Sequence, residues 1–272
     1  MLPYFKKYTI YVCIIAVALP VITSTVYSLA YGQIMASSFS GMLIEIALLF
    51  LGMIIGFNIF ERKAEAKTSA LLATYNDACD PEKLVHDGAQ LASNISFPCN
   101  ESGAWYLSTY AQALLEVGRI DEAQKIYDGI EHSIEAARKP EAKAGILVNL
   151  VPLSEKMRTI DETISLIEQG LDLLRGQTSG AATERRAYLN SQKMVFDARK
   201  EGDLQDVVKL DEVVKTNPGY PMRVRVEYAW NEGSAFYRLG NKEAERENLA
   251  FVIEHGGSLK LVGQAQTRLA AL

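Results

Sequence analysis

Residues 8–44 contain no charged side chain. A gap of this length constrains the fold, because roughly 20 apolar residues in a helix are enough to cross the hydrocarbon core of a bilayer. We predict a first membrane span at about residues 8–31 and a second at about residues 39–60. Backbone groups cannot stay unpaired in lipid, so both spans should be helices joined as a hairpin. The chain then divides into a transmembrane hairpin, residues 1–60, and a second domain, residues 61–272.

Basic residues near the ends of the spans predict the orientation of the hairpin. Lys6 and Lys7 precede the first span, Arg62, Lys63 and Lys67 follow the second, and the connector carries no charge. Basic residues collect on the cytoplasmic side of membrane proteins. We therefore expect a two-span protein of the cell membrane, with both termini and the second domain in the cytoplasm.

An alternative makes the first span a signal peptide that is cleaved after Ala30. The basic start and the small residues before the cut fit this interpretation, but the apolar run exceeds the usual core of about 7–15 residues. The cysteines favour the cytoplasmic orientation, since three cysteines, few and odd in number, are typical of a reducing compartment. A disulfide between Cys79 and Cys99 stays open for a domain that faces an oxidising compartment.

Glu45 is the one charged residue inside the predicted spans. An acid at this depth is costly and is a functional candidate, although a position near the end of the helix lets it reach the interface. Glu45, Gly52 and Gly56 fall on one helix face, and the spacing of the glycines permits close approach of another helix. We predict a hydrogen bond between Glu45 and Thr25 or Ser24, or packing of this face against a second copy of the chain. An ion or substrate role for Glu45 stays open.

From residue 61 onward the sequence alternates apolar helical faces with short breaks, and it lacks the sustained alternation typical of strands. Five similar turns recur about 40 residues apart, a spacing typical of stacked helical hairpins. They begin at Cys79, Gly118, Arg158, Gly202 and Gly240. Glycine suits the end of the first helix because that position often needs a left-handed backbone. The Asp or Asn nearby accepts the free N–H groups of the next helix.

The turns predict five helical hairpins and one final helix. The paired helices are residues 61–78 with 80–95, 101–117 with 120–137, 141–157 with 160–175, 181–201 with 203–215, and 221–239 with 241–255. The final helix follows Ser258, and its apolar face of Val262, Ala265 and Leu269 should cap the end of the stack. The predicted fold class is therefore all-α, a two-helix transmembrane hairpin followed by an α-solenoid and a capping helix.

The turns and the residues around them resemble the tetratricopeptide repeat (TPR) family over about residues 61–256. With Gly118 as the turn glycine, the packing positions of the family hold Leu107, Tyr110, Ala111, Leu114, Ala123, Tyr127 and Ile130. With Gly240 as the turn glycine, Glu245 stands where the family has alanine. The resemblance implies a solenoid of about five TPR-like hairpins. The whole arrangement also resembles uncharacterised bacterial membrane proteins with two spans and a cytoplasmic repeat domain.

In the resembled family, a partner segment binds a concave groove that is lined by side chains of the first helices. By position, the resemblance places eight residues in this groove: Trp105, Ser108, Gln112, Glu116, Glu227, Trp230, Ser234 and Arg238. Core packing is the alternative for the two tryptophans. The resemblance thus implies a protein–protein interaction scaffold. Its partner segment should have some basic character, because the domain is acidic.

The sequence contains no catalytic, cofactor-binding or metal-binding motif that we recognise. His86, His132 and His255 stand in different repeats and lack the spacing of metal ligands. The formal net charge of −5 and the lack of a dense basic patch argue against nucleic acid as a partner. We therefore expect a protein that is no enzyme and needs no cofactor or metal. The alternative to the scaffold is an accessory or regulatory subunit of a membrane complex, such as a transporter, recognised through its transmembrane helices.

Overall fold

The structure is a computed structural model that describes Leu51, Gly52, Ile59 and residues 62–272. The chain divides into two compact units, Met1–Ser69 and Ala70–Leu272. The predicted spans lie almost wholly outside the described residues, and so do Thr25, Glu45 and Gly56, whereas Gly52 is helical and half-buried. Among the described residues, no helix is both long enough and apolar enough to cross a membrane.

Residues 62–272 form eleven helices and no strand. In chain order the helices are α1 (62–76), α2 (Pro81–Asn94), α3 (Glu101–Glu116), α4 (Ile120–Ala136), α5 (Pro140–Met157), α6 (Ile160–Leu173), α7 (Gly180–Glu201), α8 (Leu204–Thr216), α9 (Met222–Leu239), α10 (Lys242–His255) and α11 (Lys260–Leu269). The predicted all-α class is confirmed for this part of the chain. The helices begin and end within a few residues of the predicted bounds.

The turns between paired helices show why the helices end where they do. α7 ends at Gly202 and α9 at Gly240, and the two glycines have left-handed φ angles of 74° and 75°. A side chain at the next residue then caps the following helix. Asp203 accepts from two backbone N–H groups of α8, and Asn241 accepts from the N–H of Ala244. The local sequence closes these two hairpins, since a residue with a Cβ is strained at either glycine.

The helices of the second unit pack in chain order. Each helix from α2 to α11 contacts the next one along the chain. The first helices of neighbouring pairs also contact each other, α3 with α5 and α5 with α7, so these pairs lie side by side. The pair of α9 and α10 packs differently, because α9 contacts α8, the second helix of the preceding pair, more than α7, its first helix.

Apolar side chains fill the space between the paired helices. In α5, α6, α7 and the loop before α7 the buried cluster consists of Ala144, Val151, Ile164, Ile167, Leu174, Ala182, Leu189 and Phe196. Two smaller clusters continue the core through α7, α8 and α9, one of Val195, Val214 and Tyr228, the other of Ala198, Val207 and Ala235. Full burial of one aliphatic or aromatic side chain stabilises a fold by about 1.5–3 kcal/mol. The stack is therefore held together by successive apolar contacts between neighbouring helices.

Candidate functional site

Arg223, near the start of α9, is the centre of a buried polar network. Its side chain is 7% exposed. Its guanidinium Nη1 donates to Gln112 Oε1 at 3.1 Å and to both carboxylate oxygens of Glu227 at 3.0 Å. Its Nε donates to Asn76 Oδ1 at 3.3 Å, and the group lies 4.8 Å from the centre of the Tyr75 ring. One side chain thus joins the last turn of α1, the C-terminal part of α3 and the first turns of α9.

A second cation, Lys156 at the end of α5, completes the network. Its Nζ lies 2.7 Å from Glu227 Oε1 and 3.8 Å from Glu116 Oε1. The other Glu116 oxygen accepts the backbone N–H of Lys260 at 3.2 Å. We name this set the central network; it consists of Asn76, Gln112, Glu116, Lys156, Arg223 and Glu227. The positive charges of Lys156 and Arg223 equal the negative charges of Glu116 and Glu227, so the network as a whole is neutral.

The charges of the central network stabilise one another. Burial alone would lower the pKa of Lys156 and of Arg223, but the Glu227 carboxylate raises both above their ordinary values. Burial alone would raise the pKa of Glu227, but Arg223 and Lys156 hold it below its ordinary value. The three groups therefore stay charged across the neutral pH range. Each depends on the others, because a buried ion that loses its partner is strongly destabilising.

Four of the eight residues that the resemblance assigns to a groove lie in or beside the central network. Gln112 and Ser108 are each 2% exposed, so neither offers a free surface in this conformation. Glu116 and Glu227 are engaged by Lys156. The structure thus brings three of the predicted α3 residues and Glu227 of α9 together. Apart from the buried Ser108 hydroxyl, their polar groups are engaged within the domain, mainly by Lys156 and Arg223, and are not open to a partner.

The other groove residues separate into two kinds. Trp230 and Ser234 lie against the last helix, where the Arg268 guanidinium is 5.6 Å from the Trp230 ring and Nη1 donates to Ser234 Oγ at 3.1 Å. Arg238 is exposed. Trp105 is 42% exposed and is therefore not a core residue. Surface that a partner could reach remains at Trp105 and Arg238.

Glu245 explains how the last helix is attached. It occupies the position where the TPR pattern has alanine, and it is 1% exposed. Its Oε1 accepts from Arg268 Nε at 2.6 Å, and Arg268 Nη2 donates to the Gly233 carbonyl oxygen at 3.2 Å. Ala265 of the same helix is fully buried. A buried carboxylate thus binds α11 to the end of the stack, in addition to the predicted apolar face.

A second charged group lies between α8 and α9. The Lys215 Nζ is 2.7 Å from Glu232 Oε2 and 2.5 Å from Glu212 Oε2, and it donates to Asn248 Oδ1 at 3.1 Å. We name Glu212, Lys215 and Glu232 the shared-lysine cluster. Burial, reinforced by the nearby Glu212 charge, outweighs Lys215 and raises the pKa of Glu232 to about 7. Glu232 therefore changes its charge near neutral pH.

Asp211 in α8 is a second buried carboxylate with a raised pKa. Asp211 is fully buried, and its Oδ1 accepts from Arg199 Nη2 at 3.2 Å, while its Oδ2 has no hydrogen-bond partner among the described residues. Arg199 also binds Glu155 at 2.7 Å. Burial raises the pKa of Asp211 to about 6, although Arg199 opposes the shift. One arginine shared by two carboxylates leaves this acid incompletely compensated.

A pocket of about 340 Å³ lies apart from the central network, at the start of α3 and α5. Its wall includes Cys99, Asn100, Ser133, Arg138 and Lys139. The Cys99 thiol accepts from Ser133 Oγ at 3.4 Å, and burial raises its pKa. A thiol in this state stays protonated at neutral pH and is a weak nucleophile.

Among the described residues, no group of three or more His, Cys, Asp or Glu side chains is arranged to hold a metal ion. His86 and His132 are exposed and lie beside single carboxylates of their own helices. Burial raises the pKa of Cys79 to about 11, which keeps this thiol protonated as well.

Sequence reasoning missed Asn76, Lys156 and Arg223. A signal existed for Lys156, since it precedes the turn residue Arg158 by two positions, as Glu116 precedes Gly118. A signal existed for Arg223 as well, because Glu227 follows it by one helical turn. The pairing of these residues across separate hairpins has no signature in the sequence. Comparison of the chain with protein-family models, with curated proteins and with solved structures found no match.

Proposed function

We propose that this protein is a membrane-anchored scaffold that binds a protein partner through a TPR-like helical domain. The two predicted spans hold it in the cell membrane, and both termini and the domain face the cytoplasm. No enzymatic activity, cofactor or nucleic acid is part of the proposal. The observation that carries it is the ordered series of helical pairs that follows a charge-free stretch of membrane-spanning length.

The partner surface that we propose contains Trp105. Exposed tryptophans often contribute strongly to protein interfaces. Trp105 lies one helical turn after Glu101, which binds Arg185 through two carboxylate contacts of 2.6 and 2.8 Å. An exposed aromatic beside a fixed polar pair has the apolar centre and polar rim of many interfaces. The central network keeps Ser108 and Gln112 out of this surface in the present conformation.

Site-specific crosslinking in intact membranes tests the proposal. A photo-reactive residue replaces Trp105 in the full chain, and a second variant carries it at Val213 of α8, which is 63% exposed and is not one of the eight implied groove residues. We expect one protein to be captured from position 105 and not from position 213. Equal capture from both positions, or none from position 105, would refute the proposed surface.

The second candidate function is an accessory or regulatory subunit of a membrane complex. The sequence feature that favours it is the helix face shared by Glu45, Gly52 and Gly56, which suits close packing against another span. The same face suits a homo-oligomer. Replacing both glycines with leucine should abolish assembly with the complex, while Ala47→Leu on another face of the same span should leave it intact. Assembly that survives the double replacement rejects this candidate.

A further inference from the structure

The pocket at the start of α3 and α5 adjoins the proposed partner surface. It has a volume of about 340 Å³, and Glu101 stands in its wall. Trp105 follows Glu101 by four residues, so the two side chains lie on the same face of α3, one helical turn apart. Trp105 is 42% exposed. A segment that covers the Trp105 ring is therefore close enough to place a neighbouring side chain in the pocket.

Two cations in the pocket wall are free to bind an anionic group. Arg138 and Lys139 are exposed, and neither has an ion-pair partner among the described residues. The cations of the central network differ, since Lys156 and Arg223 are both bound by Glu227. The start of α5 adds to the positive potential, because Lys139 makes no side-chain cap hydrogen bond and the first turn of a helix carries a partial positive charge.

The acidic groups of the wall do not cancel these two charges. Glu101 is the one carboxylate among the residues of the wall, and Arg185 Nη2 donates to its two oxygens at 2.6 and 2.8 Å. A Cβ at Gly145 would lie 2.5 Å from this carboxylate, so the group is packed against α5. Burial raises the pKa of the Cys99 thiol, which stays uncharged at neutral pH. The wall therefore carries a net positive charge.

This local charge is opposite to the charge of the whole chain. The formal net charge of −5 by itself favours a basic partner. Charges act over only about 8 Å at physiological ionic strength, so a bound segment responds to the groups nearest to it. Glu135 and Glu141, the acids nearest in sequence to Arg138 and Lys139, are not part of the wall. The exposed glutamates of α10 belong to a helix that forms no packed pair with α3, α4 or α5.

We propose that the partner segment is acidic where it meets this surface, and that an Asp or Glu side chain of the segment enters the pocket and pairs with Arg138 and Lys139. An apolar residue next to it in the segment covers Trp105. Ala142 and Ile146 in the wall suit the methylene groups of such an acidic side chain. The proposal rests on the proposed function, because it names the chemistry of the partner that binds at Trp105.

Peptide crosslinking to the purified full chain in detergent tests the charge preference. An aromatic photo-reactive residue stands at position 105. Two labelled peptides are the probes, one with glutamates around a single leucine and the other with lysines in place of the glutamates. The test variant is Arg138→Glu with Lys139→Glu. The matched control is Lys242→Glu with Arg246→Glu, which replaces two exposed cations of α10 and changes the net charge equally.

We expect the acidic peptide to be captured about tenfold more than the basic one, because two exposed ion pairs together change an affinity by about this factor. The test variant should reverse the preference, and the control should keep it. Circular dichroism should show the same helix content in all three proteins. Capture of the basic peptide at least as strongly as the acidic one, or an equal loss of acidic-peptide capture in both variants, would overturn the proposal.

The same variants in intact membranes separate this proposal from the proposed function. Capture of a cellular protein from position 105 that the test variant does not reduce would leave the scaffold standing and would reject the acidic partner. Failure of the proposed function gives a different result. In that case no variant captures a cellular protein from position 105, while the purified chain still prefers the acidic peptide.

Discussion

The central network and the shared-lysine cluster each contain a glutamate with little exposure, Glu227 at 17% and Glu232 at 4% of the side chain, yet the two acids respond to protons in opposite ways. Glu227 faces both Lys156 and Arg223, and these cations hold its pKa below the ordinary value. Glu232 shares Lys215 with a second carboxylate, and its pKa rises to about 7. The ratio of cations to carboxylates therefore decides whether a buried acid stays charged. The central network therefore keeps its charges across the neutral pH range, whereas the shared-lysine cluster changes its charge within that range.

The largest expected effect comes from breaking the balance of the central network. Glu227→Leu leaves Lys156 and Arg223 buried near each other without their shared carboxylate. Removal of one partner from a buried ion pair costs about 3–5 kcal/mol of unfolding free energy. Urea unfolding of the full chain measures this loss. The control, Lys209→Ala, removes an exposed pair with Asp206 and should leave stability unchanged. A loss no larger than that of the control would show that the network contributes little.

The pH dependence of stability tests the shared-lysine cluster. Glu232 holds its proton in the folded protein at pH values where the unfolded chain has lost it, so its contribution is full below about pH 4.5 and is lost as the pH rises through 7. Between about pH 5 and 8, the parent should therefore lose about 1–3 kcal/mol more than Glu232→Gln.

Thermal unfolding at several pH values measures that difference. Glu243→Gln, which replaces an exposed glutamate of α10, serves as the control and should follow the parent. Parallel curves for the parent and Glu232→Gln would show that the shared lysine keeps both acids charged.

The pair of Glu245 and Arg268 lies between the two cases, with one cation for one buried carboxylate. Glu245→Ala restores the residue typical of the TPR pattern but removes the partner that binds α11. We expect a loss of about 1–2 kcal/mol and faster proteolysis within α11, measured by limited digestion with trypsin. Arg246→Ala, a change at an exposed neighbour, is the control. Unchanged digestion of the C-terminal helix would mean that the buried Ala265 alone retains it.

The smallest expected effect comes from Glu212→Gln, which tests whether the number of carboxylates that share Lys215 controls the pKa of Glu232. Glu212→Gln gives Lys215 a single carboxylate partner and should lower the pKa of Glu232 by about one unit. The loss of stability with rising pH should then be smaller than in the parent and should level off at a lower pH. The same thermal series measures the shift. A midpoint that does not move would assign the raised pKa to burial alone.

Much of the fold could be predicted because its determinants are local. Gly202 and Gly240 end their helices, and Asp203 and Asn241 cap the next ones, all within a few residues of sequence. Glu245 could be recognised as a departure from the TPR pattern, but its partner could not. Arg268 lies 23 residues further on, and the pairing requires α11 to pack on α10.

The candidate site could be predicted only in part. The resemblance to the TPR family implied that Gln112 lies on the groove face of one first helix and Glu227 on that of another. It could not show that a single guanidinium, Arg223, would bind both, because that contact spans 111 residues and depends on how far the stack curves. The sequence also could not predict which of these side chains is exposed to solvent. Trp105 and Ser108 are assigned to the same groove face, but only Trp105 is exposed.

The sequence by itself determined the helices of this protein, their ends and the order of the pairs, because caps, turn glycines and apolar spacing act over one or two helical turns. Only the tertiary structure decided that the first and last hairpins meet, with Arg223 bonded to Asn76 across 147 residues and Ser258 bonded to Cys79. The physical reason is cumulative. In a stack of helical pairs, the side chains that meet across many residues depend on how every pair between them is rotated on the next.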